Sequence, residues 1–190
     1  MDYRELLRVR RSIREFEDKD VPLPLIQEII ADGCEAPNGG NRQPWAFIVI
    51  TDKDLMKRCS DESKKNILQE IERNPTSPVA GYKTILQDKR FNVFYNAPCL
   101  IYIAGLRDVH SSPVDCTLAA SYLMLSAADR GLGTCWIYLG SVIQDQALLK
   151  EICLPDDYKI IAPIILGYPV KIPNRTPRDK PKIFKVIQLV

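Results

Sequence analysis

The sequence lacks most of the residues on which metal binding and hydrolytic catalysis usually depend. It contains one histidine, His110, in a polar stretch over residues 107–113, where we expect it to be exposed. The six cysteines form no CxxC pair and match no zinc spacing. We therefore predict no metal site and no Ser-His-Asp hydrolase. Cysteines in apolar surroundings pack as small hydrophobic side chains, so we expect these to be reduced, which favours a cytoplasmic location.

Long apolar runs and a strong net charge are also missing. No run approaches the roughly 18 residues that a membrane span requires, and the polar residues 1–5 do not resemble a secretory signal. The net charge of +2 gives no reason to expect nucleic acid as a partner. With 190 residues, 46% of them hydrophobic and 26% charged, the chain is predicted to form a single globular domain over residues 1–190.

What is present is a mixture of helical and extended patterns. Apolar spacing predicts helices over residues 2–10, 22–36, 52–72 and 113–130. Apolar runs predict buried strands over residues 47–50, 99–104, 134–139 and 160–166. Because these elements do not follow a strict βαβ alternation, the pattern indicates an α+β fold.

Three arginines and a serine lie within five residues, as Arg10, Arg11, Ser12 and Arg14. Arginine binds phosphate bidentately and keeps its charge at physiological pH. If the segment is helical, Arg10 and Arg14 share one face, and the Ser12 hydroxyl adds a donor. The segment therefore indicates a phosphate site, although a solvated helix end would have the same composition.

A second polar segment, residues 36–45, has the composition of a ligand-binding turn. Gly39 and Gly40 allow close approach of the backbone to a ligand. Amide donors and acceptors are supplied by Asn38, Asn41 and Gln43. An ordinary loop between a helix and a strand would use the same residues.

The third informative segment is Gly-Leu-Gly-Thr-Cys-Trp-Ile-Tyr-Leu-Gly at residues 131–140. It does not match the dinucleotide-binding fingerprint, because its glycines follow a predicted helix and precede a predicted strand. In addition, Trp136 stands at the third glycine position of that fingerprint. A Rossmann domain with bound NAD is therefore not expected.

In their order and spacing, these segments resemble the flavin-dependent nitroreductase family. That family carries Arg-Arg-Ser-x-Arg, then Ala-Pro-Ser-x-x-Asn-x-Gln-Pro-Trp, then Gly-Leu-Gly-Thr-x-Trp-Ile. Leu-Gly-Tyr-Pro at residues 166–169 and a basic tail complete the similarity, which spans nearly the whole chain. Two departures are Asn38, where the family commonly has Ser, and Tyr138, where Gly is common.

The resemblance implies one FMN per active site and a homodimer in which both subunits build each site. Contacts to FMN would come from Arg10, Arg11, Ser12 and Arg14 of one subunit. The partner subunit would contribute Pro37, Asn38 and Asn41. Leu139 and Gly140 would lie beside the isoalloxazine, with a backbone N–H near N5. Arg178 would make a further phosphate contact, with Arg175 and Lys180 as alternatives.

The resemblance also implies an activity. An enzyme of this family would take hydride from NAD(P)H at flavin N5 and pass it to a nitroaromatic, quinone or related small-molecule acceptor with ping-pong kinetics. Since FMN carries the chemistry, no catalytic side chain is expected. Two alternatives stay open. One is a specialised relative, such as a reductive dehalogenase or a flavin-fragmenting enzyme, and the other is a flavin-binding storage or sensing protein.

The family's fold is a mixed, mainly antiparallel sheet flanked by helices, with a C-terminal extension that wraps the partner subunit. Residues 172–190 suit that role, because their prolines favour an extended chain and their apolar end requires burial. The alternative is a last strand added to the chain's own sheet.

Overall fold

The apolar runs form one antiparallel sheet in the computed structural model, which describes residues 2–186. The strands are β1 (Trp45–Ile50), β2 (Cys99–Leu106), β3 (Gly133–Trp136) and β4 (Tyr158–Gly167). Their order across the sheet is β1-β2-β4-β3, and every neighbouring pair is antiparallel. β2 is buried along nearly its whole length, which explains its continuous hydrophobic sequence.

Helices surround this sheet. They are α1 (Tyr3–Val9), α2 (Leu23–Cys34), α3 (Lys53–Arg73), α4 (Lys83–Gln87), α5 (Ser112–Asp129) and α6 (Gln146–Glu151). Short 3₁₀ turns occur at Gly39–Asn41, Ala80–Tyr82 and Tyr138–Gly140. None of the helices within residues 2–186 is both long enough and apolar enough to cross a membrane.

Each face of the sheet packs against its own set of helices. Ile101 and Ile103 of β2 lie in one core with α2 and with α5, whose Leu123 is fully buried. Leu100 and Tyr102, which alternate with them, lie in a second core with α3. Because successive side chains of a strand point to opposite faces, a wholly apolar β2 serves both cores.

The α+β fold expected from the sequence is confirmed, with one difference in the third strand. β3 ends at Trp136 rather than at Leu139, and a 3₁₀ turn follows it. Gly140 closes that turn against Phe94, whose ring lies 2.3 Å from the position that a Cβ on Gly140 would take. Sequence patterning could not reveal this packing, because the two residues are far apart in the chain.

The C-terminal tail leaves the domain after β4. Residues 173–186 contain no strand, so within them the alternative of a last strand in the chain's own sheet is not seen. Their apolar side chains are exposed, including Phe184 at 99% and Ile183 at 70%. Residues 187–190, the last part of the predicted extension, lie outside the described residues.

Candidate functional site

The arginine segment leaves α1 and pairs with the edge strand β3. α1 ends before Arg10, whose backbone is already extended, with φ −56° and ψ 128°. The Ile13 amide donates to the Thr134 carbonyl at 2.9 Å, next to a parallel bridge between Ser12 and Thr134. The helical interpretation of Arg10 and Arg14 is therefore wrong.

The extended backbone nevertheless places the predicted ligand-binding side chains on one side, because alternate residues of an extended chain point the same way. Ile13 faces inward and is 3% exposed, whereas Ser12 and Arg14 on either side of it are exposed. A Cβ on Gly133 would lie 2.6 Å from Ile13. The absence of a side chain at Gly133 therefore allows the segment to dock against β3.

Cys135 of β3 lies beside this segment, because its neighbour Thr134 pairs with Ser12. Burial raises the pKa of Cys135, while the positive charges of Arg14 and Arg10 oppose that shift. Because the net shift in pKa is upward, the thiol stays neutral at physiological pH and does not cancel the positive charge of the arginines.

Arg11 points away from this group. Its guanidinium donates to the backbone carbonyls of Arg10 and Arg8, both at 2.5 Å. These contacts satisfy carbonyl groups at the C-terminal end of α1, as basic residues commonly do. Arg11 therefore stabilises the end of this helix, and its contact with a ligand stays a prediction.

Arg14 lines a cavity of about 150 Å³ whose other walls are mainly aromatic. The lining residues besides Arg14 are Tyr82, Phe91, Val93, Tyr95, Trp136, Ile137, Tyr138 and Leu139. The Arg14 guanidinium lies 5.7 Å from the centroid of the Tyr95 ring, within the range of a cation–π contact. The cavity therefore combines one cation with flat apolar surfaces, which suits a planar anionic ligand.

Tyr95 was not selected from the sequence, although its backbone marks it. Tyr95 and Asn96 have φ values of 53° and 51°, in the left-handed region that residues other than glycine rarely adopt. Such conformations concentrate at functional sites and are held there by the surrounding structure. No local sequence pattern signals this strain.

Helix α3 holds the segment that carries Tyr95. Lys64 is 7% exposed and donates from Nζ to the carbonyls of Asp88 at 2.7 Å and Phe91 at 2.8 Å. The Ser60 hydroxyl accepts from the Val93 amide at 3.0 Å. Two polar side chains of one helix thus fix the backbone of residues 88–93 beside the cavity.

Leu139 and Gly140 lie in the 3₁₀ turn after β3, close to Arg14. Leu139 lines the cavity, but Gly140 is buried, and its N–H donates to the Ile137 carbonyl at 2.9 Å. The Tyr102 hydroxyl donates to the Gly140 carbonyl at 3.2 Å. The turn is therefore fixed from within the core, and Leu139 is the member that faces the cavity.

The second predicted segment lies elsewhere, at the N-terminal end of α5. The Gly39 amide donates to Asp115 Oδ1 at 3.1 Å. Asn38 Oδ1 accepts from the Gln43 amide at 2.9 Å, and the Gln43 side chain donates to Asn41 Oδ1 at 3.2 Å. Pro37 and Asn41 are exposed. The segment therefore forms a turn whose outer residues face away from the domain.

Within one chain, the two predicted segments are separated by the length of α5. The arginine segment lies by β3, which follows the C-terminal end of α5, and the 37–41 turn lies at its N-terminal end. With 18 residues, α5 is about 27 Å long. β1 and β3 are also opposite edges of the sheet, about 14 Å apart. One chain therefore does not bring both segments to the same ligand.

Arg178, the tail residue predicted to contact the phosphate, is exposed. Arg178, Arg175 and Lys180 all lie in the exposed stretch over residues 171–186. The tail begins next to the arginine segment, because the Val170 amide donates to the Glu15 carbonyl at 3.1 Å and Lys171 pairs with the Glu15 carboxylate at 2.9 Å. This origin brings the tail close to the candidate site.

A larger cavity, of about 380 Å³, lies beside Phe16 and Asn96. Its walls include Glu17 and Asp18, and its lysine, Lys53, is already paired with Asp18 at 2.8 Å. Two carboxylates would repel a phosphate group. The smaller cavity at Arg14 is therefore the better candidate for an anionic ligand.

Comparison with known proteins places this arrangement in an established class. Residues 7–168 match the model of the nitroreductase family. A relative from Methanothermobacter thermautotrophicus, named "Putative NADH dehydrogenase/NAD(P)H nitroreductase", is 25% identical over 180 residues, which are 92% of this chain and 81% of the relative. The iodotyrosine deiodinase of Thermotoga neapolitana is 24% identical and is covered over 93% of both chains.

The fold is also similar to that of solved nitroreductases. The crystal structure of a nitroreductase with bound FMN from Bacteroides fragilis superimposes with a TM-score of 0.78, over 100% of both chains and at 20% identity. The structure and the family match define an oxidoreductase of the nitroreductase fold. The chain belongs to the nitroreductase family.

Proposed function

We propose that the protein is an FMN-dependent oxidoreductase that uses NAD(P)H to reduce a small-molecule acceptor, such as a nitroaromatic compound or a quinone. The observation that carries this proposal is the extended segment that pairs with β3 and turns Arg10, Ser12 and Arg14 to one side, with Arg14 lining an aromatic cavity. FMN, when bound, supplies the hydride acceptor and donor that no protein side chain provides. The FMN held by the relative from Bacteroides fragilis supports the same cofactor here.

The residues present fit FMN in charge and in shape. Guanidinium groups at Arg10 and Arg14 match a phosphate in charge and geometry. The aromatic walls at Tyr95 and Trp136 offer packing surface for a flat ring system. The cavity of about 150 Å³ is smaller than the roughly 300–1,000 Å³ of typical ligand pockets. This shortfall supports a site that a second subunit completes.

In this proposal, each side chain has a defined task. Between them, Arg10 and Arg14 would bind the two anionic parts of the cofactor, the phosphate and the negative charge of the reduced ring, because preorganised cations do so without reorganisation. Cys135 remains a neutral thiol, since burial raises its pKa. Tyr95 and Trp136 exclude water from the face where the nicotinamide and the acceptor bind in turn.

The second subunit accounts for the segments that one chain keeps apart. Pro37, Asn38 and Asn41 would reach the site of the partner, and Arg178 would add a phosphate contact. The exposed Ile183 and Phe184 support a tail, residues 172–190, that wraps the partner. We further propose a single domain over residues 1–190 and a cytoplasmic location, which the six unpaired cysteines support.

An anaerobic stopped-flow experiment tests the activity. The FMN-loaded protein is mixed with NADH or NADPH, and the flavin absorbance is followed. We expect bleaching with at least one of the two, followed by reoxidation when a quinone or nitroaromatic is added. Absence of bleaching with both would contradict the nicotinamide-dependent activity. Bleaching without reoxidation by any acceptor would instead favour a storage or sensing protein.

A reductive dehalogenase is the second candidate, favoured by the similarity to the deiodinase of Thermotoga neapolitana over 93% of both chains. The chemically reduced protein is incubated with iodotyrosine, and iodide release is measured against reoxidation by a quinone. If iodide release is much faster than quinone reduction, the protein is a reductive dehalogenase and not a broad reductase.

A further inference from the structure

A buried carboxylate ties the 37–41 turn to α5. Asp115 is 3% exposed, and its Oδ1 accepts from the Gly39 amide at 3.1 Å, a contact between residues 76 positions apart. Its Oδ2 is also buried and has no hydrogen-bond partner among residues 2–186. A carboxylate this deeply buried is costly unless it is hydrogen-bonded. Among residues 2–186, the one hydrogen bond that the Asp115 carboxylate accepts is therefore the one from Gly39.

The turn needs such a tie, because two of its residues and one just after it have left-handed backbone. Gly40, Asn41 and Gln43 have φ values of 62°, 54° and 46°. For residues other than glycine, this conformation costs about 1 kcal/mol or more each, so it persists where the surroundings hold it. The bonds among Asn38, Asn41 and Gln43 lie within the turn itself. The bond from Gly39 to Asp115 connects it to the rest of the domain.

The contact also sets the distance between the turn and the helix. A Cβ on Gly39 would lie 3.0 Å from the Ser111 hydroxyl and 3.8 Å from Asp115 Oδ2. Gly39 therefore lies directly on the first turn of α5, while Pro37 and Asn41 face outward. A change at Asp115 would move the outward-facing residues without touching Arg10, Ser12 or Arg14, which lie beyond the other end of α5.

We propose that Asp115 is a positioning residue that acts across the subunit boundary: it holds the 37–41 turn in the geometry that completes the FMN site of the partner subunit. This inference rests on the proposed function, because it requires FMN and a shared site. It assigns to a residue buried in one subunit a role in a site whose arginines belong to the other.

Substitutions at Asp115 test the hydrogen bond. In Asp115→Leu, whose apolar side chain offers no acceptor, we expect the Kd for FMN to rise at least about tenfold. Asp115→Asn keeps an oxygen that can accept from Gly39, so its Kd should stay within about threefold of wild type. Kd is measured by quenching of flavin fluorescence. Asp115→Ala replaces the leucine variant if that variant does not fold.

Ser112→Ala is the matched control. Ser112 lies in the same buried turn of α5, and its hydroxyl has no hydrogen-bond partner among residues 2–186. Its removal should leave the Kd for FMN unchanged. Amide hydrogen exchange at residues 39–43 adds a readout that does not depend on FMN, and it should accelerate in Asp115→Leu but not in Asp115→Asn. Equal Kd values and equal exchange in all variants would overturn the proposal.

Mixed dimers test whether Asp115 acts on the partner. One subunit carries Arg14→Ala and the other carries Asp115→Leu, and two affinity tags isolate the mixed species. If Asp115 acts across the boundary, one site has both defects and the other has none. The mixed dimer should then bind one FMN with wild-type affinity, whereas each homodimeric variant binds weakly at both sites.

The outcomes separate this inference from the proposed function. If the wild-type protein does not bind FMN, the proposed function fails and this inference fails with it. If wild type binds FMN but the mixed dimer has no site of wild-type affinity, Asp115 acts within its own subunit. That result would overturn the inference alone.

Discussion

The two ends of α5 carry the two halves of the proposed site, and they hold their residues by different means. At the C-terminal end, the arginine segment pairs with β3, and buried Ile13 packs over Gly133. At the N-terminal end, an exposed turn with left-handed backbone is tied to α5 through Asp115. Backbone pairing and core packing make the first half part of the sheet. The second half depends on one side-chain contact, so it is the half that substitutions can displace without unfolding the domain.

The largest expected effect is at the arginine end. Arg14→Ala should weaken FMN binding roughly 30-fold, since hydrogen bonds to a charged group contribute about 1.5–3 kcal/mol. Arg11→Ala is the comparison, because the Arg11 guanidinium is engaged by carbonyls at the end of α1. Titration calorimetry with FMN measures both. A larger loss of FMN affinity for Arg11→Ala than for Arg14→Ala would contradict the conclusion that Arg14 faces FMN and Arg11 faces the end of α1.

The next effect concerns the support of the cavity. Lys64→Met removes the donor to two carbonyls, and we expect it to lower the free energy of unfolding by about 1–3 kcal/mol. Lys65→Met is the matched control: its side chain is 60% exposed and pairs with Glu62 at 3.2 Å. That variant should change stability by less than about 0.5 kcal/mol. Urea unfolding at constant pH measures both, and equal losses would show that burial of Lys64 has no special role.

Docking of the arginine segment can be weakened without changing any arginine. In Gly133→Ala, the new Cβ would meet Ile13 at 2.6 Å, so we expect a loss of about 1–2 kcal/mol and weaker FMN binding. Gly81→Ala is the control, because its Cβ would meet nothing within 4 Å. Thermal unfolding with and without FMN measures both. Unchanged FMN affinity in folded Gly133→Ala would show that docking against β3 does not position the arginines.

The smallest effect is a pH dependence near the C-terminal end of α5. A hydrogen bond from Ser126 and the charge of Arg130 lower the pKa of Asp32 below 3.8, although burial opposes the shift. The charged form of Asp32 therefore stabilises the fold above pH 3.8, and this contribution is lost as the pH falls through the lowered pKa. Because the Asp32 side chain is 46% exposed, solvent screening limits the contribution to less than about 1 kcal/mol.

Asp32→Asn should therefore cost a little stability at pH 7 and none at a pH below the lowered pKa of Asp32. Chemical unfolding of both proteins at the two pH values measures the difference. A cost that is the same at both pH values would mean that the charge of Asp32 contributes nothing.

The sequence predicted the elements well where apolar spacing is strong. α5 and the buried strand β2 lie within two residues of their predicted bounds, since a core element must be apolar along its length. The prediction failed at residues 137–139, where β3 has already ended and a 3₁₀ turn, Tyr138–Gly140, follows with Gly140 packed on Phe94. It also failed for residues 10–14. Arg10 and Arg14 do point to the same side, but the backbone between them is extended and not helical.

By itself, the sequence determined the α+β class and the residue types that can bind a flavin phosphate, because these depend on periodicity and on the chemistry of individual side chains. The tertiary structure decided which of those residues meet. It turned Arg10, Ser12 and Arg14 to one side of an extended segment, directed Arg11 to the end of α1, and left the 37–41 turn about 27 Å away along α5. It also brought in Tyr95, Lys64 and Asp115, whose contacts depend on packing between residues distant in the chain.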